Sequence, residues 1–368
     1  MKFIKFVLIF VFILIFPLCI NAKTQEIRPE YKEVKILHIY EDQINQHGIE
    51  QIEQELEFEI LKGDEKGKKI KTTNFVPKTV NYVKYKQGDK VIISIYQDPN
   101  SNNVQIYIID YVRRKELILL LIIFLALVFL VSKGQGILSF LSMIITFGII
   151  NFFIVPQIIK GASPITISLI SAAIISPITY YMSHGINKKT TRALIGTLFA
   201  LALITILAHF FINATKLSGF ANEQAIYLQS MKNGVINIKN LLLAGIIIGS
   251  LGVLDDITVA QAAIVEKLHK AKPSYSLKEL YKHSMHIGND HIASMVNTLI
   301  LVYAGASLPL FILFQNSQMS HGMAINQEIV ATEIIRTLIA SIGLVSAVPI
   351  TTFLSCYLEK KESKLKKI

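Results

Sequence analysis

Asp255, Asp256, Glu266, His283, His286, Asp290 and His291 are the residues whose chemistry most needs explaining. They occupy a polar link between two apolar segments, Leu241–Leu254 and Ile292–Phe314. Carboxylates and imidazoles set against membrane-length apolar runs are expensive, so they read as ion or proton sites, or as groups that neutralise one another. Asp255 and Asp256 close the first segment. Adjacent helical residues point about 100° apart, so one of the two must face protein or water. The plainer alternative is two solvated carboxylates at a helix end. The helix dipole opposes that arrangement unless the helix continues through Thr258–Lys267, which would put Asp255, Ala262 and Glu266 on one face.

His283, His286, Asp290, Ser294 and Asn297 recur at helical steps of three and four. On a continuous helix they form one polar stripe, although Gly288 weakens continuity. Such a stripe could relay protons or bind a cation; alternatively it hydrogen-bonds a structural helix across a bundle. Asp290 and Asn297 lie about two turns apart, roughly 10 Å, so they could face one path lined further along by Thr298 and Tyr303. No metal-ligand spacing is present. The two cysteines, Cys19 and Cys356, make no disulfide framework, and no cofactor is expected. Ser294 is poorly spaced from His291 for a nucleophile and base, so a membrane-embedded hydrolase is the weakest reading.

Several local signals set the elements around these residues. Gly245 and Gly249 are four apart with Gly252 nearby, a pattern that lets another helix approach or allows a bend. Ser276-Leu277-Lys278-Glu279 is a capping box opening a short helix expected to lie flat at the inner interface. A cytoplasmic partner docked over residues 258–290 is the alternative. Gly305 and Pro309 bend or break the helix after Asn297, and Pro349 marks a kink in the last apolar run. Glu333 and Arg336, three apart, can form an ion pair.

Hydrophobic residues make up 52% of the 368 and charged ones only 17%, which points to a membrane protein partnered by lipid. Seven spans are expected: Leu117–Val131, Ile137–Val155, Ile165–Tyr181, Ala193–Phe211, Ile238–Leu254, Ile292–Phe314 and Leu338–Tyr357. The net charge of +11 gathers in short links and not in a basic block interleaved with aromatics, so a nucleic-acid partner is excluded. Lys188, Lys189, Arg192, Lys267, Lys270, Lys272, Lys278 and Lys282 fall on one side, with a basic tail over 359–368. That side is expected to be cytoplasmic. Arg113, Arg114 and Lys115 fall on the other side and break the asymmetry.

Residues 1–22 read as a secretory signal peptide, with Lys2 and Lys5, an apolar core and Ala22 at the cleavage position. An uncleaved anchor is the alternative. Residues 23–115 form an extracytoplasmic, mainly β domain. Alternating stretches recur at Val34–Tyr40, Leu56–Leu61, Lys90–Tyr96 and Val104–Tyr111. Gly63–Lys68 and Asp98–Asn103 are turns, and Gln43–Gln54 is expected as a short helix. Residues 116–358 make the helical bundle.

The run His291–Pro309, with Asn-Thr-Leu from Asn297 and Tyr-Ala-Gly-Ala-Ser-Leu-Pro from Tyr303, resembles the YibE/F-like family of bacterial multipass membrane proteins. Gly249–Asp256, Glu266, Arg336–Pro349 and an external domain with Gly63–Lys68 and Gly88–Val91 fit the same pattern. The resemblance covers nearly the whole chain and brings no activity with it. From the residues themselves, the leading expectation is a transporter or transport component for a small solute or ion. A non-transporting membrane scaffold is the alternative.

Overall fold

From Ile52 to Ile60 the sequence alternates, with Glu53, Glu55, Glu57 and Glu59 between apolar or amide residues. That period of two belongs to a strand with one buried face. The structure is a computed structural model that describes residues 30–46, 49–77, 85–97, 104–231, 235–316 and 319–365. Five antiparallel strands, β1 (Glu30–Gln46), β2 (Ile49–Ile60), β3 (Lys69–Pro77), β4 (Lys90–Gln97) and β5 (Val104–Tyr111), pair in the order β3-β2-β1-β4-β5. Long β1 sits at the centre, matching Val34 to Ile60 on one side and to Val91 on the other. Val34, Ile36, Leu56, Phe58, Ile60, Val91 and Ile93 form the core, each at most 1% exposed.

Register breaks at Ile36/His38 and Ile92/Ile93 add curl to the sheet. Its two edges approach, and Thr72 on β3 donates to the Ile106 carbonyl on β5 at 3.1 Å. The result is a half-barrel. Gly63 and Gly67 take φ of +88° and +86° in the expected turn before β3. The helix expected over Gln43–Gln54 is not formed in the described residues: Gln43 pairs with Ile52 and Ile44 with Gln51. The stretch supplies the end of β1 and the start of β2, and the pairing between them satisfies a backbone that a lone short helix would leave marginal. The expected signal segment and the Asp98–Asn103 turn lie outside the described residues.

The helical part comprises α1 (Arg114–Ile149), a π turn (Ile150–Ile154), α2 (Val155–Ile159), α3 (Pro164–His184), α4 (Lys188–Ala214), α5 (Glu223–Met231), α6 (Ile238–Ala271), α7 (Leu277–Ala306), α8 (Leu308–Asn316), α9 (His321–Ile325) and α10 (Glu328–Leu365). α1 breaks at Lys133, which has φ 51° and ψ −136°, so it supplies the first span and opens the second. Among the described residues six helices are long and apolar enough to cross a membrane. The bent pair α7–α8, angled by 61°, makes a seventh. α10 runs unbroken through Pro349. Among the described residues, those from Glu30 to Leu130 and those from Val131 onward form two separate compact units.

In the second unit α4, α6 and α10 pack on one another around Ile204, Ile247, Leu254, Leu344 and Val348, each at most 1% exposed. Three glycines permit the closest approaches. A Cβ at Gly196 would press on Thr351 Oγ1 and lie 3.3 Å from the Thr351 Cα; one at Gly343 would run into the Ile204 side chain. A Cβ at Gly288 would lie 2.8 Å from Val348 Cγ1. Gly245, Gly249 and Gly252 are different. They are exposed, and nothing among the described residues comes within 4 Å of where their Cβ would be. The packing expected at those three glycines is therefore not made among the described residues.

Gly196→Ala should destabilise the bundle by about 1–3 kcal/mol through overpacking, read as a lower midpoint of thermal unfolding in detergent. Gly249→Ala should leave that midpoint unchanged or slightly raised, since it fills open space and favours helix.

Candidate functional site

Three hydroxyls meet inside the bundle. Tyr180 on α3, Thr197 on α4 and Thr258 on α6 are all fully buried. Tyr180 Oη and Thr197 Oγ1 each lie 2.8 Å from Thr258 Oγ1, and they also contact each other. Thr258 Oγ1 also donates to the Leu254 carbonyl at 2.9 Å, which leaves its oxygen to accept from the other two. A buried hydroxyl without a hydrogen bond costs roughly 1–3 kcal/mol, so Tyr180 and Thr197 depend on Thr258 staying in place. No local pattern in the residues marks this trio, because hydroxyls are common in apolar helices and cost little to place there.

One turn before Thr258 on the same helix is Asp255. Its side chain is only partly exposed, and its Oδ1 is buried with no hydrogen-bond partner among the described residues. Asp256 beside it is exposed. The 100° offset separates the pair as their adjacency requires, one inward and one outward. α6 continues to Ala271, so neither carboxylate sits at a helix C-terminus. Further along, Ala262 is buried and Glu266 is ion-paired with Lys270 at 2.5 Å, on the outer part of the helix.

A second polar layer lies between α6, α7 and α10. The fully buried Gln261 Nε2 donates to the Ser284 carbonyl at 3.0 Å and to Thr352 Oγ1 at 2.7 Å. The missing side chain of Gly288 makes room for its amide.

α7 carries the expected stripe on the face opposite its buried residues Leu280, Ser284, Gly288 and Leu299. His286, Asp290, His291, Asn297 and Thr298 are all exposed. Thr298 Oγ1 donates to the Ser294 carbonyl at 3.0 Å within the helix. The fold of this chain thus does not bring Asp290 and Asn297 to Asp255. The capping box forms, with the Glu279 N–H donating to Ser276 Oγ at 3.2 Å and the Ser276 N–H to Glu279 Oε2 at 2.7 Å. It opens α7 itself, however, and not a separate surface helix. Gly288 does not interrupt α7, which runs through it from Leu277 to Ala306. The polar link between α6 and α7 shrinks to residues 272–276.

Tyr303 faces another place. With Ile300, Phe311, Glu333, Thr337 and Leu338 it lines an apolar cavity of about 270 Å³ beside the α7–α8 bend at Gly305 and Pro309. Glu333 is bonded to Arg336 at 2.9 Å there. Among the described residues no three His, Cys, Asp or Glu side chains converge as a metal site would require.

Arg192 was legible only as a marker of sidedness. It is 3% exposed and meets Glu359 at 2.9 Å and Glu362 at 3.1 Å, while Lys188 reaches Glu362 at 2.5 Å. The stretch expected as a basic tail supplies these two carboxylates from the end of α10. A guanidinium this buried needs its counter-charges, because its pairing must offset its desolvation.

An antiparallel half-barrel followed by a bundle of six or seven membrane-length helices defines a polytopic membrane protein with an amino-terminal β domain. The YibE/F-like protein model matches residues 120–361, and the YibE/F family N-terminal domain model matches residues 32–111. The chain belongs to the YibE/F-like family. No curated protein and no solved structure matches it.

Arg192→Met should destabilise the bundle by up to about 3 kcal/mol by leaving the partly buried Glu359 unpaired. Pairing it with Glu359→Gln should recover most of that loss in a thermal melt. A double variant as unstable as the single one would show that packing, not charge, matters there.

Proposed function

We propose that this protein is a transporter, or a component of one, for a small solute or ion. The observation that supports this most is Asp255. Its half-buried carboxylate, with an unpartnered oxygen, adjoins a buried hydroxyl trio in the packed centre of a membrane bundle, where a charged group needs a functional reason. A cation or proton is the natural occupant beside it, and one turn further along α6 Thr258 brings the hydroxyls of Tyr180 and Thr197 together with its own. The open glycine face at Gly245, Gly249 and Gly252 gives α6 room to shift against whatever covers it.

In this reading the protein lies in a bacterial cell membrane, with residues 23–115 outside and the carboxyl-terminal end in the cytoplasm. The lysines of the 183–192 and 272–276 links support that sidedness. The second reading is a scaffold that docks a cytoplasmic partner over 258–290. The exposure of His286, Asp290 and His291 on α7 favours it, because these side chains are available to a partner and unused by the bundle.

Flux separates the two. Asp255→Asn should abolish ion or solute flux in proteoliposomes while expression and thermal stability stay nearly unchanged. Asp290→Asn tests the path along α7 in the same assay, and full flux in that variant would remove Asp290 from coupling. No flux for any tested ion or solute, even in the unaltered protein, would favour the scaffold. Reporter fusions after Lys189 and Lys272 should read cytoplasmic, and an external signal at Lys272 would overturn the sidedness.

A further inference from the structure

Where the sheet leads into the first membrane helix, a cleft of about 1030 Å³ opens within the amino-terminal unit. Five cations line it: Lys62, Lys90, Arg113, Arg114 and Lys115. Only three carboxylates do, Glu33, Asp89 and Glu116. Glu33 is engaged by Arg114 and, at 3.4 Å, by Lys62. Arg113 is held at 2.6 Å by Asp110, whose carboxyl it draws below the ordinary range. Asp89 accepts the backbone N–H of Lys86 at 2.8 Å. Lys90 and Lys115 have no ion pair among the described residues. The cleft therefore carries two uncommitted ammonium groups and a positive balance.

Its other end is apolar. Leu117 and Ile118 line it from the first turns of α1 and are 60% and 54% exposed. The span that they begin, Arg114–Gly134, is long and apolar enough to cross a membrane. A basic rim and an apolar foot are thus separated by about one helical turn at the level where the bilayer's headgroups must lie. A soluble anion would need the first and have no use for the second.

We propose that this cleft binds an anionic phospholipid. Lys90 and Lys115 hold the headgroup phosphate, and Leu117 and Ile118 lie against the first methylenes of an acyl chain. Basic residues close to an anionic leaflet each favour binding, and their long stems can lie along apolar surface while the charge stays at the phosphate. The inference rests on α1 being a membrane span and is independent of whether the bundle transports anything. It also gives Arg113, Arg114 and Lys115 a reason to sit where they defy the charge asymmetry of the other links.

The test uses the full-length protein in nanodiscs of phosphatidylcholine alone or with phosphatidylglycerol. Lipid retained through detergent extraction is counted by native mass spectrometry, and thermal stability is followed alongside. The unaltered protein should retain phosphatidylglycerol in preference to phosphatidylcholine and melt higher when it is present. In the Lys90→Gln/Lys115→Gln variant that preference should fall by about fivefold for each lysine removed. Lys160→Gln/Lys216→Gln, with the same charge loss elsewhere, should keep it. Retention of phosphatidylglycerol by the first variant at the unaltered level would overturn the proposal. So would equal protection by millimolar inorganic phosphate in phosphatidylcholine discs, which would make this a site for a free anion. Both lysines are at the surface of the unit, and an unchanged melt in phosphatidylcholine alone shows that the variant is folded.

Discussion

The bundle depends on how closely α4 and α10 approach one another. They run antiparallel, and the contact is tied at both ends. Arg192 meets Glu359 and Glu362 at one end. At the other, the Glu328 carboxylate accepts the N–H groups of Ser218 and Gly219, at 2.8 and 2.7 Å, just past the end of α4. Between these ties Gly196 lies under Thr351 and Gly343 under Ile204. In a membrane there is little hydrophobic gain from bringing two apolar helices together, so dispersion over a tight contact must supply the association. Two glycines and two electrostatic ties do this here, and α6 packs against both helices.

α6 holds the chemistry because of that position. Its inner face gives Thr258 to the hydroxyl trio and Gln261 to the layer under α7, while its outer face leaves three glycines and Asp256 uncovered. Asp255 lies at the margin between the two. A carboxylate there is exposed enough to be reached and buried enough for its charge state to matter, a combination that neither a core residue nor a surface residue has.

Much of the architecture was readable in the residues, and the reasons for the misses are physical. Spans and strands follow from hydropathy and period, which is why the β-sheet core and the membrane helices stand close to where the patterns placed them. Gln43–Gln54 is strand and not helix although only Ile52 through Ile60 alternates strictly, because Gln43–Gln46 has no such alternation and takes its conformation from pairing with β2. The stripe on α7 was correct as a helix face, but which face meets the bundle is decided by Gly288 against Val348, and no local pattern reveals that. Gly245, Gly249 and Gly252 have the better-known spacing, yet the glycines that join helices are Gly196 and Gly343. Each of those is followed four residues later by alanine, Ala200 and Ala347, so a search for small residues in general would have found them. Arg192 needed the fold, since its partners are more than 160 residues away.

Torque applied to the sheet would be felt far from it. Arg114 is held to Glu33 and the Val112 N–H to the Lys90 carbonyl at 2.8 Å, so the sheet and the start of α1 are joined rigidly. The compact unit that contains them ends only at Leu130, just short of Lys133. At Lys133 the backbone takes a positive φ, beside Gly134. From Arg114 to Leu130 the helix is about 25 Å long. A load on the sheet is therefore borne by most of the first membrane crossing and not by the root of the sheet alone.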